Sequence, residues 1–249
     1  MFKFFDKKNN YVFLHIPKTA GTSVYEVFQD LFSAKNVSEQ FGVTKITPAE
    51  ARKLNKFQMI SGHISWDDIA TYFPERKIIT FLREPIDRCI SWYYYAKSRP
   101  LDHVIPLDQI SNSNDPKEAI SIAKQVDFET FLFSDHPHIL QNLRNRQAWQ
   151  LGAHASFDLQ SLDEQALLQL AKRNIDAIDY VGFFETISDD LNGIIEQLQL
   201  GKIRTLPYKN KTGERPSVKE LSGSVMERLN MLNNLDIELY NYALNKKMS

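Results

Sequence analysis

Cysteine is nearly absent: the 249 residues contain one, Cys89. A single thiol excludes an internal disulfide framework and any metal site built on a cysteine cluster. Net charge is nearly absent too, with 30 basic residues against 31 acidic ones and a formal balance of -1. No overall basic field therefore marks the chain for nucleic acid. Long apolar runs are also missing. Nothing approaches the ~20 consecutive apolar residues of a membrane span. The opening MFKFFDKKNNYVFLHIP holds no stretch of the ~7–15 residues that form a signal-peptide core. These absences set the first expectation: a cytoplasmic protein with no membrane span and no nucleic-acid partner. On the same ground the sequons at Asn36 and Asn210 are read as chance rather than glycan sites. What remains, 43% apolar, 24% charged and 12% aromatic residues, is the balance of a folded globular protein.

Short apolar runs alternate with helical periodicity. Tyr11 to Ile16, Lys56 to Ile60, Lys77 to Leu82 and Asp179 to Phe183 read as strands bounded by turn residues. Val24, Val27, Phe28 and Leu31 recur at helical spacing after the first strand. Ile86, Ile90, Tyr93 and Tyr94 do the same after the third, where Pro85 suits a first helical turn. Further helices are expected over Asp127–Phe133, Pro137–Gln150, Leu162–Asn174, Ser188–Gln199 and Ser224–Asn245. Between Ser98 and Lys117 the period breaks up around three prolines, and a connection of that length is often functional. Strand–helix alternation of this kind predicts an α/β fold with a mainly parallel sheet flanked by helices. No shift in composition marks a boundary, so residues 1–249 are expected to form a single domain.

Two segments carry chemistry. The first, HIPKTAGTS over residues 15–23, lies between a strand and a helix, where backbone N–H groups and a helix N-terminus together suit an anion. Pro17 keeps the chain extended, Gly21 lets backbone approach an anion, and Thr22 or Ser23 can cap the helix. Lys18 adds a mobile positive charge. The order differs from a Walker A loop, whose lysine follows its second glycine. Here Lys18 precedes the only glycine of the segment. The third strand ends in Arg83 rather than a Mg²⁺-binding aspartate, which also counts against a kinase or GTPase.

The second segment is FLREPIDRCISWYYY, residues 81–95. Arg83 sits at the carboxyl end of a strand, where open α/β sheets bind their ligands. Positions 84, 87, 88, 91 and 95 share a helix face, so Arg83 and Ser91 can hold a second phosphate-like group by charge-assisted bonds. Arg88 can do the same or pair with Glu84 across the helix surface, and the surface pair is the preferred reading. Trp92, Tyr93 and Tyr94 are read as core.

Together these segments resemble the motifs of sulfotransferases that use PAPS, 3′-phosphoadenosine-5′-phosphosulfate. The variant here is most similar to the carbohydrate branch, which includes heparan sulfate 2-O-sulfotransferases and bacterial homologues. Weaker landmarks follow in the family's order: Ser61-Gly62-His63, Asn142 to Gln147, Val181 to Glu185, and Asn210 to Thr212. The resemblance implies a P-loop-like fold and PAPS as sulfuryl donor without a metal. It implies a hydroxyl acceptor on a glycan. It assigns Lys18, Thr19, Ala20, Gly21, Thr22 and Ser23 to the 5′-phosphosulfate, and Arg83 with Ser91 to the 3′-phosphate. Thr212 is added as a nucleotide contact. The alternatives are a small-molecule kinase and a non-catalytic nucleotide-binding module.

Sulfuryl transfer needs charge neutralised on the leaving oxygen and a base for the acceptor hydroxyl. Lys18 fits the first need. Histidine fits the second near neutral pH, and the resemblance makes His63 that base, at a strand end on the same rim as Lys18. One departure is Ser61, where the heparan sulfate enzymes carry a second histidine. His15 is expected to be a satisfied core residue. His103, His136, His138 and His154 have no evident partner and no zinc spacing. The basic stretch 201–215 reads equally as a cover for the nucleotide, a lure for an acidic polysaccharide, or a solvated loop. Arg144 and Arg146 beside Trp149 have the composition of a sugar-binding wall.

Overall fold

The computed structural model describes residues 10–42, 45–152, 163–200 and 218–248. In chain order its first elements are β1 (Tyr11–Leu14), α1 (Gly21–Phe32), α2 (Pro48–Leu54), β2 (Met59–Gly62), α3 (Trp66–Tyr72) and β3 (Lys77–Leu82). There follow α4 (Pro85–Ser98), α5 (Pro116–Gln125), α6 (Phe128–Leu132), α7 (Pro137–Leu143) and α8 (Arg146–Gly152). The last are α9 (Glu164–Ala177), β4 (Tyr180–Phe183), α10 (Ile187–Gln197), α11 (Gly223–Leu232) and α12 (Asn234–Met248). Packing divides the chain into two compact units, one within Met1–Leu82 and Gln147–Lys209, the other within Arg83–Arg146 and Asn210–Ser249.

The first unit holds the sheet, in the order β2-β1-β3-β4, with every neighbouring pair parallel. All four residues of β1 and of β2 are buried, and strands covered on both faces need no polar alternation. That is why β1 reads as a plain apolar run, whereas β2, expected over Lys56 to Ile60, lies two to three residues later and ends in Ser61 and Gly62. The Phe13 ring meets Phe28 of α1 edge-on at 5.5 Å and Phe81 of β3 at 6.3 Å, fixing helix and strands in one core. At the amino end of the sheet the buried Arg76 donates to the carbonyls of Tyr11, Gln58, Asn55 and Phe57 at 2.9–3.3 Å. In the carboxyl half of the sheet Leu14 faces Gly62 on one side and Thr80 on the other. The Thr80 hydroxyl donates to the Leu14 carbonyl at 2.8 Å.

The second unit is helical. Trp92 and Tyr93 lie in its core, as expected, with the Tyr93 ring tilted against Phe128 and Phe131. Two expected long helices are each broken in two. The span 137–150 breaks between α7 and α8 because Asn145, at φ 45, turns away. Its side-chain oxygen accepts from the amides of Leu235 and Asp236 at 3.0 and 3.2 Å, capping α12. The span 224–245 breaks at Asn233.

Two polar readings change here. Arg88 does not lie on the surface: it is fully buried and donates through one terminal nitrogen to the carbonyls of Asn142 and Leu143 at 2.9 and 3.4 Å. His136 does have a partner, Glu118, at 2.9 Å. That partner stands on α5, whose first turn Asp115 caps from inside the segment read as irregular. Glu118 also accepts from the amides and hydroxyls of Ser111 and Ser113. The Ser111 hydroxyl first, then His136, holds the carboxyl down to about 2.

Candidate active site

The turn after β1 is strained. His15 continues the pairing, its amide donating to the Gly62 carbonyl at 2.9 Å. Pro17 ends it. Lys18 and Ala20 then adopt left-handed backbone, at φ 71 and 69, a conformation that costs a non-glycine residue ~1–2 kcal/mol. α1 starts at Gly21 with Ala20 as its N-cap and no side-chain cap. Left-handed residues of this kind gather amides into a concave anion cradle, and the helix dipole points the same way. Thr19 is spent inward: its hydroxyl donates to the Ile16 carbonyl at 2.9 Å. Gly21 has a reason the sequence did not show. A Cβ there would fall inside the His15 imidazole, so the turn closes only because position 21 has no side chain.

His63 follows β2 directly, and its amide donates to the Phe41 carbonyl at 3.0 Å. The half-buried ring donates from Nδ1 to the His15 carbonyl at 2.7 Å and tilts against the His15 ring, centroids 4.4 Å apart. His15 is therefore more than a core residue. It sits just beyond β1, stacked between Phe13 and His63 and close to Lys18 electrostatically. Burial, and then the charges of His63 and Lys18, push its pKa well below the usual imidazole value, so it stays neutral.

Arg83 and Ser91 belong to the helical unit. Arg83 is 4% exposed, and its guanidinium meets the Asp87 carboxylate through Nε at 2.8 Å and through a terminal nitrogen at 2.5 Å. Glu84 caps α4, accepting from the amides of Ile86 and Asp87 at 3.1 and 2.6 Å. Ser91 is buried on the same helix, one turn beyond Asp87. Asp87 is the partner that the sequence left unmarked.

Gln40 and Gln150 were not singled out either. Gln40 Nε2 lies 3.4 Å from His15 Nδ1 and from the Ser61 hydroxyl. Gln150 Nε2 donates to the carbonyls of His15 and Ile64. No local pattern in the sequence could have found either, since both act across the fold. Of the expected sugar-binding wall, Arg146 and Trp149 are 4% and 6% exposed and so face the interior, while Arg144 is half-buried. Thr212, His154 and the basic stretch 201–215 lie outside the described residues. Among the described residues no group of three or more His, Cys, Asp or Glu is arranged to hold a metal ion, and no helix is long and apolar enough to cross a membrane.

The parallel sheet thus carries a strained turn directly after β1 and a histidine directly after β2. Residues 3–243 match the model of the sulfotransferase family, and the chain belongs to that family. No curated protein matches it. Among solved structures it is similar to mouse sulfotransferase SULT7A1 complexed with PAP, at 11% identity and a TM-score of 0.44 over 93% of this chain. The chain spans 66% of that protein's length, just under two thirds. It is also similar to a sulfotransferase from Alicyclobacillus acidocaldarius, at 12% identity and a TM-score of 0.42 over 93% of both chains.

Proposed function

We propose that the chain moves a sulfuryl group from PAPS to a hydroxyl of a saccharide, with residues 1–249 working as one sulfotransferase domain. The observation that carries this reading is the turn before α1: two left-handed non-glycine residues ahead of a helix with no side-chain cap. Strain of that kind concentrates at functional sites. When bound, the donor supplies the sulfuryl group, whose bond to the 5′-phosphate breaks with its electron pair on the phosphate as the acceptor oxygen bonds sulfur. The amides from Thr19 to Ser23 hold the phosphosulfate end. Lys18 donates to the leaving oxygen as charge grows there. His63 takes the acceptor proton on Nε2, since Nδ1 already donates to the His15 carbonyl. Arg83, oriented by Asp87, holds the 3′-phosphate with Ser91, and Thr212 adds a nucleotide contact. The saccharide rests on the resemblance to the carbohydrate branch. A reducing, cytoplasmic setting belongs to the same reading, supported by the single buried thiol of Cys89.

The test is calorimetric titration with 3′-phosphoadenosine-5′-phosphate and then with ATP-Mg²⁺. The bisphosphate should bind, ATP-Mg²⁺ should bind weakly, and Arg83→Ala should weaken the bisphosphate by roughly ten- to a hundredfold, the value of a charged hydrogen bond. Preference for ATP-Mg²⁺ would point to the kinase instead. Sulfate transfer to a phenol but to no sugar would overturn the acceptor class alone.

A further inference from the structure

We infer that Gln150 is a positioning residue for His63, holding in place the backbone carbonyl that decides which ring nitrogen carries the proton. The inference rests on His63 as the base proposed above. The His15 carbonyl accepts twice, from His63 Nδ1 at 2.7 Å and from Gln150 Nε2 at 2.9 Å. A carbonyl cannot donate, so the histidine nitrogen facing it carries the hydrogen, and the lone pair of the neutral ring falls on Nε2.

The same Gln150 amide gives its other hydrogen to the Ile64 carbonyl at 3.2 Å, one residue beyond His63. A single NH₂ group thus bridges the chain leaving β1 and the chain leaving β2. It holds both the acceptor that His63 uses and the backbone from which the ring hangs. Gln150 comes from α8 and is 6% exposed, so no solvent competes for those bonds. Its other end supports the assignment. Gln150 Oε1 is buried with no partner among the described residues. A packing role alone would be better served by methionine, which fills similar space without an unpaired oxygen. What the site uses is the pair of N–H donors. His15, kept neutral chiefly by burial, and Lys18 are among the ionisable neighbours in this cluster.

The experiment is nitrogen-15 NMR of the His63 imidazole in the full chain, paired with steady-state kinetics. Wild type should show the Nδ1–H form. Gln150→Met should give a mixture of the two forms and lower kcat by about tenfold or more, since a positioned base is worth ~10²–10⁴. The KM for the donor should change less than about twofold, because uniform binding is untouched. Gln150→Glu, which keeps the shape and turns oxygens toward both carbonyls, should not restore kcat. Gln150→Asn should show the same shift in smaller measure, and it serves if the methionine variant does not fold. A wild-type ring protonated on Nε2 would overturn the inference. So would an unchanged Nδ1–H form in the substituted chains, whatever kcat does. Full activity in His63→Ala would instead remove the base reading, and the NMR result would still decide what Gln150 does.

Discussion

Between Leu14 and Gly21 the chain leaves β1 through two left-handed residues and enters α1 with no side chain capping it. Between Leu82 and Pro85 it leaves β3 in one short step and enters α4 with Glu84 accepting from two amides of the first turn. At the first junction no side chain caps the helix, and Lys18 and Ala20 carry left-handed strain; in the proposed reading that is the backbone offered to the phosphosulfate. At the second the amides are already satisfied by a carboxylate, which would repel an anion. What that junction delivers is a side chain, Arg83, aimed by Asp87. In the proposed reading the two junctions differ because one would hold its phosphate through N–H groups and the other through a guanidinium.

Four substitutions break or sharpen this contrast. Lys18→Ala should lower kcat by ~10²–10³ while donor affinity stays within a few-fold, the pattern of a group used mainly in the transition state. Equal losses in both would make Lys18 an anchor only. Next, Gly21→Ala puts a methyl group inside the His15 ring. Overpacking of that kind costs about 1–3 kcal/mol, and thermal unfolding should show it together with lost turnover. Glu84→Ala should cost about 1 kcal/mol as a lost cap, with bisphosphate affinity unchanged. Tighter bisphosphate binding in that variant would mean that the second junction also works through its backbone. Smallest is Ala20→Gly. Removing a Cβ penalty of about 1 kcal/mol is offset by about 0.4–1 kcal/mol of added unfolded-chain entropy. Its Tm should move by less than about 2 °C.

β2 was read two to three residues early, and β4 is only half buried; β1 and β3 were legible because they are buried apolar runs, and the turn after β1 because its residue types fall between a strand and a helix. The placement of His63 beyond β2 was legible for the same reason. Some features were readable and went unread: Thr47-Pro48-Ala49-Glu50 forms a capping box that starts α2, and Asp115-Pro116 starts α5. Others lie beyond local reading. The breaks at Asn145 and Asn233 interrupt helical periodicity without glycine or proline, and Asn145 turns because it caps a helix ninety positions away. Arg88 looked like a surface residue because its partners are carbonyls, which no side-chain pattern displays. His15 looked like core because its ring packing against Gly21 and His63 exists only after folding.

The His15 ring fills the space that a side chain at position 21 would need. Positions 15 and 21 are therefore not independent letters. A larger residue at 21 demands a smaller one at 15, and a new residue at 15 leaves a hollow beneath 21. Anyone grafting this turn onto another parallel sheet would have to carry the histidine with it and supply an amide in the place of Gln150. The portable module is a discontinuous set of residues rather than the contiguous PKTAGTS string.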